Sequence, residues 1–235
     1  MVKDTWKGTG YRKVTYTRKH WNLLERLRHK AGKIMETLER SHLNSVVHGS
    51  VARGDVNEES DIDVFIPYPV SSFLVETTLE RACLSICRRF VVQATPSYAM
   101  KAYMDLDVNI TLSFPLMNMR KVEREFYRFG GEVSTPDLED DRRVKGVDKR
   151  LRLIEPTEKG HKERSVVGRE GHVAQLLDIS VETVLDRVHA LSRREEVGRT
   201  GVFIEREVSK KETFEMVLKK LADENPAVRR RRETY

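Results

Sequence analysis

No uninterrupted apolar run in the chain approaches the roughly 20 residues that a membrane-spanning helix requires. Residues 1–19 are basic and polar, with no apolar stretch of signal-peptide type, so nothing in them directs secretion and a cytoplasmic protein is expected. Cysteine is scarce. Cys83 and Cys87 stand four apart on a helical pattern, which reads as two small core or groove residues rather than a bridge or a metal site. His161 and His172 have no spaced partner of the kind a zinc site needs, and no internal repeat is found. A hydrophobic content of 39% with 34% charged residues, at a mean hydropathy of -0.55, is polar for a globular chain but sufficient for buried cores. It excludes collagen-like, low-complexity and wholly disordered classes. At 235 residues one or two domains are expected, with two as the working number. The net charge of +6 makes an anionic partner plausible without identifying it.

Hydrophobic spacing predicts a helix over Arg18 to Arg40, then short strands at Ser45–His48 and Asp61–Ile66, the second stopped by Pro67. Helical periodicity runs from Ser72 to Phe90, followed by β candidates at Val91–Ala94 and Tyr98–Tyr103. An alternating strand follows from Met104 to Phe114, and a helix from Asn118 to Phe129 closes at Gly130-Gly131. From Glu132 to about Lys149 large apolar residues thin out, which reads as a linker. The expected layout is therefore a first domain over 1–131, a linker or loop over 132–160, and a second domain over 161–235.

The chemistry concentrates in His48-Gly49-Ser50-Val51-Ala52-Arg53-Gly54-Asp55 and Ser60-Asp61-Ile62-Asp63-Val64. Residues two apart on a strand share a face, so Asp61 and Asp63 can aim at one point while Ile62 and Val64 pack behind them. Two such acids repel unless a cation sits between them, and Mg²⁺ bridging carboxylates to a triphosphate is the usual protein arrangement. Gly49 permits close backbone approach to a phosphate, to which backbone N–H groups and the Ser50 hydroxyl can donate. Together these residues make one nucleotide site. Arg53 reads either as a further phosphate contact or as an ion-pair partner of Asp55 or Asp61. His48 reads as a strand residue.

In the order strand, Gly-Ser turn, Ala-Arg-Gly, Asp-Ile-Asp strand, these residues resemble the signature of the DNA polymerase beta superfamily of nucleotidyltransferases. They resemble in particular its minimal nucleotidyltransferases and archaeal CCA-adding enzymes. The resemblance covers about Ile34 to Phe114 and implies an α/β (α+β) fold, a small mixed sheet backed by helices. It implies that Asp61 and Asp63 bind two Mg²⁺ ions, for which Mn²⁺ can substitute. A third carboxylate on a later strand would bind the ion that activates the attacking hydroxyl; Asp107, within Leu106-Asp107-Val108, fits the family pattern better, with Asp105 as the alternative. Gly49 and Ser50 would hold the β- and γ-phosphates, with Arg53 nearby. The implied reaction moves a nucleoside monophosphate from an NTP, ATP foremost, to an acceptor hydroxyl on a nucleic acid or protein and releases pyrophosphate. An NTP-sensing nucleic-acid-binding regulator is the alternative of a different class. The chain lacks the length for the tRNA-embracing domains of CCA-adding enzymes.

Val173 to Leu191 resembles a helix-turn-helix, with Ser180 capping the second helix and Val184, Val188 and Leu191 as its buried stripe. A hairpin over Glu195–Glu205 would be the wing. If the unit binds duplex DNA, Thr183 and Arg187 face the major groove and Arg193, Arg194 and Arg199 meet phosphates. Such units also serve as packing modules. Arg229–Arg232 reads as a basic tail.

Overall fold

The computed structural model describes residues 10–198 and 201–233. In chain order, β1 (Arg12–Thr15) precedes α1 (Arg18–Glu39), β2 (Val46–His48), the single turn α2 (Ser50–Arg53), β3 (Ile62–Phe65) and α3 (Ser72–Arg81). There follow β4 (Arg88–Gln93), β5 (Lys101–Asp107), β6 (Ile110–Pro115), α4 (Lys121–Gly130), β7 (Glu132–Val133) and α5 (Thr135–Glu139). The rest comprises β8 (Gly146–Val147), β9 (Arg152–Thr157), β10 (Gly160–Ser165), α6 (Glu170–Leu177), α7 (Val181–Val197), β11 (Ile204–Glu207), α8 (Phe214–Glu224) and α9 (Pro226–Glu233).

The main sheet has seven strands in the order β11-β4-β5-β6-β3-β2-β7, and only β3 and β6 run parallel. Its strands alternate, so Ile62 and Val64, Leu112 and Phe114, and Ala102 and Met104 all face one side and are buried. That side is covered by α1, which buries Leu24, Ala31, Ile34, Met35 and Leu38 at three- and four-residue spacing. Thr17 starts this helix by accepting a hydrogen bond from the His20 N–H. Val75 and Leu79 of α3 and Phe214, Val217 and Leu218 of α8 complete the layer. Each fully buried Leu, Ile, Phe or Met contributes about 1.5–3 kcal/mol, so this layer is the main source of stability.

A second sheet of four antiparallel strands, β1-β10-β9-β8, lies beyond the β7 end. The two sheets meet where Gly146 approaches Gly130 and Gly131: a Cβ on Gly146 would stand 2.6 Å from their backbone atoms. Only glycine fits there.

Several expectations are corrected. Residues 132–160 are not a linker, since they supply β7, α5, β8 and β9. The second domain was expected to begin at 161, but residues 160–165 are the strand β10, which binds β1. Residues 161–235 do not form a separate domain: β11 extends the main sheet through β4, and Phe214 meets Phe114 in its core at 5.9 Å. Hydrophobic periodicity does not say which core receives a helix such as α8. The helix expected to reach Phe90 ends at Arg81, and Cys83 takes a positive φ of 57°. Both cysteines are exposed rather than in a core or groove. Arg231 is not part of a solvated tail: it is buried and donates to the carbonyls of Ser97 and Asn118. No helix among the described residues is long and apolar enough to cross a membrane.

Candidate nucleotide site

The face of the main sheet opposite α1 carries the polar half of each strand's alternation. One end is closed by α4, whose Tyr127 stacks on Phe65 at 3.6 Å. Lys101 donates to the Tyr127 hydroxyl over 2.9 Å and lies 4.9 Å from its ring centroid. Burial lowers the Lys101 pKa to about 8. His48, edge-on to Tyr127 at 4.8 Å, has its pKa lowered to about 4, first by burial and then by Lys101.

The other end is open. Asp63 projects there from β3, the exposed Asp61 immediately precedes that strand, and neither carboxylate has a hydrogen bond or ion pair among the described residues. Burial raises the Asp63 pKa, against the lowering effect of the Lys149 cation from the β8–β9 turn. Tyr103 on β5 is pushed up to about 12, by burial and then by the Asp63 charge. Beside Asp61 the chain turns at Gly49, whose φ of 81° and ψ of -142° suit glycine. The Gly49 N–H donates to the Gly131 carbonyl, and the Ser50 hydroxyl donates to that of Ser60 at 3.3 Å, immediately before Asp61. Gly49, Ser50, Asp61 and Asp63 are thus brought to one corner.

Arg53 and Asp107 are placed otherwise. Arg53 is buried; it forks onto Asp55 with two contacts of 2.9 Å and donates to the carbonyls of Gly130 and Val147. It is a clamp between α2, α4 and β8, with its donors used internally, and the ion-pair reading with Asp55 is the one observed. The strand expected over Met104–Phe114 is a hairpin, because the chain turns at Val108 and Asn109. Asp107 consequently lies past a register shift, opposite Ile110, exposed at the hairpin end with its carboxylate accepting from the Val108 N–H. Asp105 is level with Thr111 on β6, and Thr111 is level with Asp63 on β3. Asp105, not Asp107, therefore shares the row and face of Asp63. The Thr111 hydroxyl donates to Asp105 over 3.1 Å, and Arg88 pairs with it at 2.9 Å. No three His, Cys, Asp or Glu side chains come together closely enough to hold a metal among the described residues, so neither Asp107 nor Asp105 completes a preformed triad with Asp61 and Asp63.

Sequence reasoning missed Lys149, Thr111 and Tyr103. Tyr103 and Asp105 were signalled by the odd-numbered polar positions of β5; Lys149 had no local signal, because its position depends on the second sheet.

The expected nucleic-acid face is mostly covered. Ser180 caps α7, as its sequence indicates, but Ser180 and Thr183 both donate to Glu125 of α4. Thr183 is buried, and the Arg187 guanidinium lies 4.8 Å from the Phe126 ring centroid. Thr183 and Arg187 hold α7 to α4 and do not present to a groove. Arg193 and Arg194 are exposed at the far end of α7, and Arg199 lies outside the described residues. Instead of forming a wing hairpin with the preceding residues, β11 pairs with β4.

The sequence model of the family described as "Nucleotidyltransferase domain" matches residues 29–163. No curated protein matches the chain. A solved structure described as "The complex structure of CCA-adding enzyme with ATP" is similar at 14% identity and a TM-score of 0.33, covering 94% of this chain and 50% of that one. The present chain thus spans about half the length of that structure.

Proposed function

The chain belongs to the nucleotidyltransferase domain family, and on that premise we propose that it binds an NTP together with divalent cations at the Gly49–Ser50 and Asp61–Asp63 corner. It transfers the nucleoside monophosphate to an acceptor hydroxyl with release of pyrophosphate. The observation that carries this reading is the pair Asp61, immediately before β3, and Asp63, on that strand, two carboxylates with no partner among the described residues, beside the Gly49 turn. Burial opposes the Asp63 charge and the exposed Asp61 stands two residues away, so a hard cation held by both offsets that cost, and the pair of oxygen donors fits Mg²⁺ or Mn²⁺. The chemistry a divalent cation supplies when bound is charge neutralisation and activation of the hydroxyl.

Gly49 gives the triphosphate close backbone approach, and Ser50 donates a hydroxyl to it. Lys149 adds a cation to the same corner. Because α4 closes the Tyr127 end, the acceptor enters over β5, where Asp105 is the acid in line with Asp63 and fills the role expected of Asp107. A transfer assay with each α-³²P-labelled NTP, Mg²⁺ or Mn²⁺, and RNA, DNA and protein acceptors tests the proposal. A labelled product that is lost in Asp61→Ala/Asp63→Ala supports it, and nuclease or protease sensitivity names the acceptor class.

A second reading, an NTP sensor without turnover, draws on Thr111, since it puts a hydroxyl rather than a third carboxylate on the strand next to Asp63. Saturable Mg²⁺-ATP binding with no product from any NTP favours it, and failure of every NTP to bind at millimolar concentration sinks both readings.

A further inference from the structure

The second sheet turns one face toward Asp55, and between them lies a cavity of about 290 Å³. Its register places Arg12 beside Glu163, with His161 two residues away on β10 and Arg152 on β9. The acids are already matched. Glu163 is paired with Arg152 at 2.9 Å and with Arg12 at 3.4 Å, and Asp55 is held by Arg53. Arg152 also pairs with Asp148 at 3.0 Å.

Two groups on the cavity wall remain unanswered. The guanidinium of Arg150 has no partner among the described residues. His161 is only 6% exposed, and its Nε2 has no hydrogen-bond partner there, standing 3.6 Å from Glu163. The proton on that ring can be placed. The Tyr16 hydroxyl is 2.7 Å from His161 Nδ1. With that hydroxyl donating to Nδ1, the neutral ring carries its hydrogen on Nε2. A buried N–H donor and an unpaired guanidinium thus face a cavity whose other charges are balanced. What satisfies both is an oxyanion.

We infer that this cavity is a second binding site, separate from the nucleotide corner, that takes a phosphomonoester group. Arg150 and His161 Nε2 hold its oxygens, and Arg12 and Arg152 add positive potential. The site adjoins the nucleotide corner through one turn: Lys149 acts on Asp63, and the next residue, Arg150, lines the cavity. A phosphate-bearing molecule seated here lies next to the proposed transfer site, so acceptor binding is its natural use. The binding itself stands without the transfer reading.

Calorimetric titration of the full chain with inorganic phosphate, ribose 5-phosphate and a 5′-phosphorylated dinucleotide tests it, with ribose and the unphosphorylated dinucleotide as controls. Saturable binding of the phosphorylated probes is expected, weakened roughly tenfold by Arg150→Gln and by His161→Gln, and retained in Asp61→Asn/Asp63→Asn. Arg150 is exposed, so its variant reports on binding even where His161→Gln fails to fold. The tightest phosphorylated probe distinguishes a small phosphate ester from a nucleic-acid end. Absence of saturable binding up to 20 mM, on the order of the weakest useful affinity, overturns the inference. So does binding that Arg150→Gln leaves unchanged or that Asp61→Asn/Asp63→Asn abolishes.

Discussion

Asp63 and Asp105 point from the same face of the main sheet yet stand on strands that have β6 between them. At the usual strand spacing their backbones are about 10 Å apart, so the two side chains can approach a shared ligand only from opposite sides. Asp107, beyond the register shift, has no such approach. In single-turnover transfer, Asp63→Asn is expected to lower the rate about 100-fold or more and Asp105→Asn roughly tenfold, whereas Asp107→Asn stays within about twofold. A large loss in Asp107→Asn with none in Asp105→Asn would reverse the assignment.

Arg53 offers a second test, because its two readings predict different measurements. A phosphate contact would raise the KM for NTP with little effect on folding. A buried clamp leaves Asp55 uncompensated when it is removed, at a cost of about 3–5 kcal/mol. The contacts to Asp55, Gly130 and Val147 favour the second. Arg53→Gln should lower the denaturation midpoint strongly, and Arg53→Gln/Asp55→Asn should cost less than Arg53→Gln alone. A normal midpoint with weakened NTP binding would restore the phosphate reading.

The contrast between Arg53 and Asp63 marks how far the sequence was legible. Alternation placed Asp61, Asp63, Ile62 and Val64 on their correct faces, because a strand's period is local. The α1 boundaries and the Ser180 cap were likewise local. Long-range pairing was not: nothing near Ile204 says that its strand binds β4, and nothing near Val14 says that it meets His161. The hairpin at Val108 and Asn109 was missed because Met104 to Phe114 alternates continuously through a turn that contains no glycine or proline. Ser180 caps α7 and Val184 and Val188 are buried, but periodicity identifies a buried stripe without naming what lies against it. Val184 and Val188 share a core with Phe129 at the end of α4, and Glu125 of the same helix accepts from Ser180 and Thr183.

Glu125 should therefore matter to stability and not to nucleic-acid binding. Burial opposes its charge, but hydrogen bonds from Ser180 and Thr183 prevail and hold its pKa below the usual carboxylate range. Glu125→Ala leaves three donors, the Ser180 N–H and the Ser180 and Thr183 hydroxyls, without their acceptor and is expected to cost about 2–3 kcal/mol. In a salt-dependent shift assay, Thr183→Ala should leave any binding unchanged, while Arg193→Gln/Arg194→Gln should reduce the salt slope. A change of base preference in Thr183→Ala would place that residue in a groove after all.

His48 gives a pH-dependent prediction whose sign is fixed by burial. The unfolded chain protonates this ring near pH 6.5 and the folded chain near pH 4. Between those values the unfolded state holds more protons, so stability falls as pH drops from 6.5 toward 4, and His48 causes no further loss below that. At pH 4.5 the loss assigned to His48 is about 2 kcal/mol. His48→Phe keeps a ring against Tyr127 and removes the titration. Denaturant unfolding at pH 7 and pH 4.5 should show a smaller loss in His48→Phe than in the parent chain, by about that amount. Equal losses in the two chains would mean that His48 is solvated enough to titrate normally, and that the packing of Phe126 and Tyr127 around it is looser than the 4.8 Å ring contact indicates.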